Sequence, residues 1–331
     1  MAQAIIDDFP SLKDDEGQGF EAWYTPGKGQ HSSTGWIEER LRNIRRSETG
    51  TKMTINHPSK STLIAATLPE SDLSDEQYKS MAEWLKHNLA PVAQVTSFME
   101  KTAVKRAEWI RKNRGQPFDN ILQEYPRLFD TPGMVELDFR ALFAEVSDKL
   151  YMLWTSTYTN EVLKYANLQG KWQSYLHIDP SKMNSDDKKT NVSLGLLPCI
   201  LPPGRKGNKR ASIDEAMASY FAVEPIGTNM PKYLEEVTNK QPFVLILGSL
   251  MEPLQCFVIV ERKALQQKSL LKAVDVCFKL FYVLDISYPW QCATTWEFFQ
   301  KVVFGLEDHN SHSKTSPAVI AMRTALKHVA K

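Results

Sequence analysis

The sequence predicts a mainly α protein with a small β component, an α+β chain whose first half is helical and whose second half packs an antiparallel β-hairpin on helices. Three observations predict it. Apolar residues recur at i, i+3, i+4 and i+7 spacing behind recognisable helix starts such as Ser74-Asp75-Glu76-Gln77. Two aliphatic, β-branched runs, Phe243–Leu247 and Cys256–Val260, lie on either side of Met251-Glu252-Pro253. The length of 331 residues is about twice that of a typical domain and predicts two. They are a helical domain over 1–178 with a Gly-rich N-terminal loop, and an α+β domain over 194–331. The stretch between them, 179–193, is polar, lacks periodicity and is read as a linker.

Taken in order, Ile5-Ile6-Asp7-Asp8-Phe9-Pro10 reads as the tail of a short helix stopped by proline, which lacks the N–H that would continue the ladder. A similar pattern returns at Ile121–Asp130, too isolated to mark a solenoid. Residues 17–35 hold five glycines and read as a loop pinned by Trp23 and Trp36, followed by a helix over 35–44 with Ile37, Leu41 and Ile44 on one stripe. Ser74 and Gln77 form a capping box, and Tyr78, Met81, Leu85 and Leu89 share the buried face behind it. Pro91 suits the first turn of the next helix, expected to reach Asn113 with Val95, Met99, Ala103 and Ile110 inward. Thr131-Pro132 opens a long helix over Val135, Phe139, Leu142, Val146 and Leu150, and Gly170 closes the first half.

In the second half, Pro202–Arg210 reads as a basic loop, and a capping box from Ser212 to Glu215 starts a short helix. The hairpin is placed at about 242–261, buried on both faces. Three helices close the chain at about 269–284, 291–306 and 317–330.

Composition excludes several classes. Forty basic against 39 acidic side chains leave a net charge of +1, unlike a histone-like polycation or an acidic disordered tail. The first 170 residues carry 20 basic and 24 acidic groups and the remainder 20 and 15, a mild shift from acidic to basic. No glycine-rich phosphate cradle, G-x-S-x-G or H-E-x-x-H occurs. Cys199, Cys256, Cys277 and Cys292 form no C-x-x-C and read as reduced thiols of an intracellular protein, cytoplasmic or nuclear. The N-terminus lacks the features of a secretory signal. The longest apolar stretch, 276–286, contains Lys279 and Asp285 and is far short of the ~20 apolar residues of a membrane helix, so no membrane partner is expected.

Each group of residues that could carry charge or metal-binding chemistry also suits an ordinary structural role. Arg205, Lys206, Lys209 and Arg210 put four cations into six residues and are the most partner-like feature, suited to phosphate contact or equally to a soluble crossover. Lys105 and Lys112 share a face of the helix 101–114, where Glu108 makes a solvated, salt-bridged surface the simpler reading. Asp275, Asp285 and Glu297 invite a metal-carboxylate reading, but no strand presents them together. His309 and His312 sit i, i+3 without a fourth ligand. Trp84, Trp109, Trp154 and Trp296 read as core before interface. No catalytic residue, metal or cofactor is assigned.

Phe9-Pro10-Ser11-Leu12-Lys13-Asp14, Gly19–Tyr24 and Gly35–Leu41 resemble a multicopy family common in fish genomes, some of whose members are labelled sterile alpha motif domain-containing protein 3-like. So do Gln241-Pro242-Phe243, Leu270–Lys279, Asp285–Pro289 and Trp296–Gln300. The resemblance spans most of the chain and is weakest over 180–215. It implies no cofactor and no catalytic residues. In members that carry a sterile alpha motif the module lies upstream of the region matched, so its oligomerisation is not carried over. Multicopy character suggests a link to mobile elements. The expected function is a non-enzymatic intracellular protein-interaction or scaffold role with protein partners. The alternative is a nucleic-acid-associated protein derived from a mobile element, with a metal-dependent nuclease a remote third.

Overall fold

Capping side chains set five of the α-helix starts among the described residues, at Ser74, Ser185, Ser212, Asn229 and Ser269. The computed structural model describes residues 2–13, 18–26, 68–170, 172–307 and 315–329, with scattered positions between 33 and 41. Its residues separate into two compact units, 1–54 and 55–331. The first holds helix α1 (Ala2–Asp8) and a 3₁₀ turn at Pro10–Leu12, as the proline stop predicts. Its loop is pinned by the Ile37 N–H donating to the Trp23 carbonyl at 3.0 Å. Trp36 and much of the helix expected over 35–44 lie outside the described residues.

The second unit begins with α2 (Asp75–His87), where Ser74 and Gln77 make the reciprocal capping box. Helix α3 (Val92–Lys112) follows, with Pro91 at the N-cap, one position before the first turn, and Val95, Met99, Ala103 and Ile110 buried. Two short helices, α4 (Phe118–Glu124) and α5 (Arg127–Asp130), precede α6 (Met134–Leu142). The single long helix expected from Thr131 to Leu150 is interrupted. Phe143 leaves helical geometry (φ −143°), and its ring meets Phe139 and Tyr282 at centroid distances of 5.0 and 5.5 Å. Aromatic packing outweighs the local helical pattern at this point. The chain resumes as α7 (Lys149–Leu153), a π-helical turn (Trp154–Tyr158) and α8 (Thr159–Gln169), which Gly170 ends in the left-handed region.

The segment expected to be a linker is largely helical. Ser185 caps α9 (Asp186–Ile200), so residues 186–193 are the first two turns of a helix. Asp186 and Asp187 at its start suit the positive end of the helix dipole, and from Val192 to Cys199 it is buried all round. Neither stretch produces an amphipathic stripe. No domain boundary falls here, because elements on both sides share one core. Trp154 donates its indole N–H to Ser193 Oγ at 2.9 Å, and Phe139 of α6 packs on Phe278 and Phe304 at 6.2 and 5.9 Å.

After α9 comes a two-stranded ribbon, β1 (Arg205–Lys206) and β2 (Lys209–Arg210). Helix α10 (Ile213–Tyr220) starts on the Ser212–Glu215 capping box and runs into β3 (Phe221–Glu224). Helix α11 (Met230–Glu236) is followed by β4 (Phe243–Gly248), β5 (Pro253–Val260) and β6 (Lys263–Gln267). The sheet order is β3-β4-β5-β6, with β3 parallel to β4 and the other pairs antiparallel. The expected hairpin is its centre, buried on both faces. Phe243, Leu245, Leu247, Phe257 and Ile259 pack beneath Met230, Tyr233, Leu234 and Val237, an i, i+3, i+4, i+7 stripe at α11.

Helix α12 (Leu270–Val283) packs on β4, β5 and β6, and also on α6. Thirteen of its fourteen residues are buried, Lys272 being the exception. Helix α13 (Ala293–Phe298) continues as a π-helical turn to Phe304, and α14 (Pro317–Val329) ends the described chain. Phe278 stacks on Phe304 at 4.2 Å and 7° in the middle of this core. Among the described residues no helix is long and apolar enough to cross a membrane.

The α3–α6 contact is locked by a buried ion pair. Arg106 Nε and Nη2 donate to Asp138 Oδ2 and Oδ1 at 2.7 and 2.5 Å, while Nη1 reaches Thr102 Oγ1 and Nη2 the Met99 carbonyl, both at 2.8 Å. Removing one member of such a pair strands the other in an apolar interior and costs about 3–5 kcal/mol. Asp138→Ala is therefore expected to lower the urea-unfolding free energy by about that amount. An Arg106→Met/Asp138→Leu double change should recover most of the loss.

Candidate functional site

Arg205, Lys206, Lys209 and Arg210, expected in a loop, form a short and well-anchored ribbon. At its foot the Gly204 N–H donates to the Gln291 carbonyl at 2.8 Å, and the Ala211 N–H donates to the Gly204 carbonyl at 3.0 Å. A Cβ on Gly204 would lie 1.5 Å from the Trp290 carbonyl oxygen, so only glycine permits this approach. At its tip Gly207, with φ +59°, occupies the first central position of a two-residue turn, the residue a type II′ hairpin requires there.

The register sets Arg205 opposite Arg210 and Lys206 opposite Lys209. Strand alternation then places the two arginines on one face and the two lysines on the other. All four are exposed. Like charges directly across a ladder repel, so this arrangement is held by its anchors and turn and not by its own side chains. On the lysine face, Lys209 Nζ meets Glu215 Oε1 at 3.1 Å and lies 5.6 Å from the centre of the half-buried Trp290 ring. Arg205, Lys206 and Arg210 make no ion pair among the described residues.

The other residues singled out from the sequence are engaged elsewhere. Lys105 pairs with Asp75 at 3.1 Å and with Glu108 at 3.9 Å. Lys112 is exposed near the end of α3, and no hydrogen bond or ion pair joins either lysine to the ribbon. Asp275 accepts from Lys279 at 2.7 Å and from Lys272 at 3.1 Å, within the core. Asp285 accepts from Arg114 Nε at 2.5 Å, and Glu297 accepts the Ser316 N–H at 2.9 Å. Among the described residues no three His, Cys, Asp or Glu side chains gather to hold a metal ion. His309 and His312 lie outside the described residues.

All four cysteines are free and buried. Burial pushes the Cys256 thiol up to about 11 and that of Cys199 up to about 12, which suppresses thiolate chemistry. Trp154 and Trp296 are fully buried, and Trp84 and Trp109 meet Phe98 and Tyr125 edge-on at 5.1 and 5.2 Å. Sequence reasoning missed Trp290, the aromatic beside the ribbon, because some 80 residues separate it from the basic run. The Tyr288-Pro289-Trp290 turn carries no charge signal that would join the two. Comparison with family models, with curated proteins and with solved structures finds no match to this chain.

Glu215 joins the ribbon to α10, because it accepts the Ser212 N–H at 2.9 Å as well as Lys209. The Ser212 N–H, and after it Lys209, hold the Glu215 carboxyl below its ordinary 4.5. A depressed folded value means the stabilisation is complete above pH 4.5 and is lost as the pH falls through the lower folded value. Glu215→Gln should therefore melt below wild type at pH 7, and the gap should narrow in melting curves recorded below pH 4.5.

Proposed function

We propose that this chain acts by binding and not by catalysis, as an intracellular interaction protein. One observation carries the reading: the division of its ionisable side chains. Asp138, Asp275, Asp285 and Glu297, the groups best suited by burial to acid–base or metal chemistry, each hold a cation or a backbone N–H. Arg205, Lys206 and Arg210 instead stand in solvent together on one short ribbon, without an ion pair among the described residues. Four buried thiols suit a reducing compartment. A binding role through exposed loops and surfaces needs nothing more from the interior than stability.

Incubation of the purified chain with nucleotides, esters and nucleic acids tests the reading. No turnover above that of an Asp275→Asn/Asp285→Asn preparation is expected. Turnover that one carboxylate change abolishes while the circular dichroism spectrum stays native would overturn it.

A further inference from the structure

We infer that the ribbon 205–210 and Trp290 together form a contact site for single-stranded nucleic acid, a partner assignment that rests on the binding reading above. The ribbon supplies the phosphate chemistry. Arg205 and Arg210 sit directly opposite each other on one face, where cross-strand Cβ atoms are about 5 Å apart, so both guanidinium groups can close on one phosphate. Their mutual repulsion in the free protein is relieved by an anion between them, which favours the bound state. Lys206 and Lys209 present a second positive surface on the opposite face, the one beside Trp290, so a bound strand passes round the edge of the ribbon to meet both.

Single strands are favoured over duplex by two features. Each strand is two residues long and the ribbon is tied at its foot to Gln291 through the Gly204 N–H, so its backbone is about 7 Å in reach, short of the floor of a major groove about 8.5 Å deep. Beside it stands an indole that the fold leaves half-buried, with Lys209 Nζ at 5.6 Å from its centre. Aromatic surface flanked by cations is how sequence-tolerant single-strand binders hold an unstacked base and its phosphate at once. In the complex Lys209 exchanges Glu215 for phosphate, and the base takes the face of Trp290 that Lys209 covers in the free protein.

Fluorescence anisotropy with labelled oligothymidylate and its RNA counterpart, read at 50 and 200 mM salt, tests the site. Three phosphate contacts to a single strand, one shared by the two arginines and one at each lysine, predict that affinity falls about 18-fold across that range, and Arg205→Ala/Arg210→Ala should reduce the fall to about 7-fold. Arg205→Lys/Arg210→Lys should keep the wild-type salt dependence. Trp290→Leu should weaken binding about 5- to 150-fold at fixed salt, the range expected for one stacked base. Because the arginines are exposed, their replacement tests the site even where Trp290→Leu disturbs the Gln291 anchor. Absence of binding at 50 mM salt overturns the inference. So does an unchanged salt dependence in the alanine pair. Equal affinity for duplex DNA or heparin, with Trp290→Leu without effect, shows an unspecific polyanion surface and also overturns it. None of these failures bears on catalysis, and turnover in the preceding assay would leave the binding result standing.

Discussion

Helix α12 is buried on nearly every side, and that constraint organises the second unit. A helix that buries all but one of its fourteen residues cannot lie on a surface, so it must be enclosed by other elements. The sheet supplies one wall through β4, β5 and β6, and α6 supplies another, with the Phe139, Phe278 and Phe304 rings between them. Two charges are trapped inside this enclosure. Asp275 Oδ2 accepts from Lys279 at i, i+4 spacing while Oδ1 is buried without a hydrogen-bond partner, and Lys272 reaches from Asp275 out to Glu136 on α6 at 3.2 Å. The ion pair thus offsets part of the desolvation cost locally and ties the helical layer to the central helix.

The same logic governs the remaining buried charges. Arg106–Asp138 ties α3 to α6, and Arg114–Asp285 ties the end of α3 to the turn after α12. Each joins separate segments, and the second ends on Asp285, a side chain that the sequence offers to a metal-carboxylate reading. Their structural engagement shifts attention to the surface. There the ribbon at 205–210 concentrates charge that the fold does not neutralise, braced by Gly204 against the Trp290 turn. Interior charge holds the fold, and the charge of the ribbon is what the proposed binding role would use.

Features encoded by near neighbours were legible in the sequence. The capping boxes at Ser74 and Ser212, the Gly170 stop, the hairpin at 243–260 and the helices that close the chain all follow from contacts within a few residues. What failed depends on distant partners. The helix through Phe143 breaks because Tyr282 offers it a better contact than the next helical turn. The first two turns of α9, residues 186–193, read as linker because the charged start shows no amphipathic stripe. Strands β3 and β6 escaped because one follows α10 without a turn signal and the other is the polar edge KALQQ. At the candidate site the four cations were visible as a run, whereas their pairing across a ladder and their aromatic neighbour exist only in the folded chain.

If α12 is the common core of residues 55–331, the helices of the first half and the central sheet cannot unfold separately. Native-state hydrogen exchange measured residue by residue tests this most directly. Amides of α3, α6, α12 and β4–β5 should share one opening free energy, equal to that of global unfolding by urea. A lower shared value for α3 and α6, with α12 and the sheet still protected, would contradict the account and restore two independent domains.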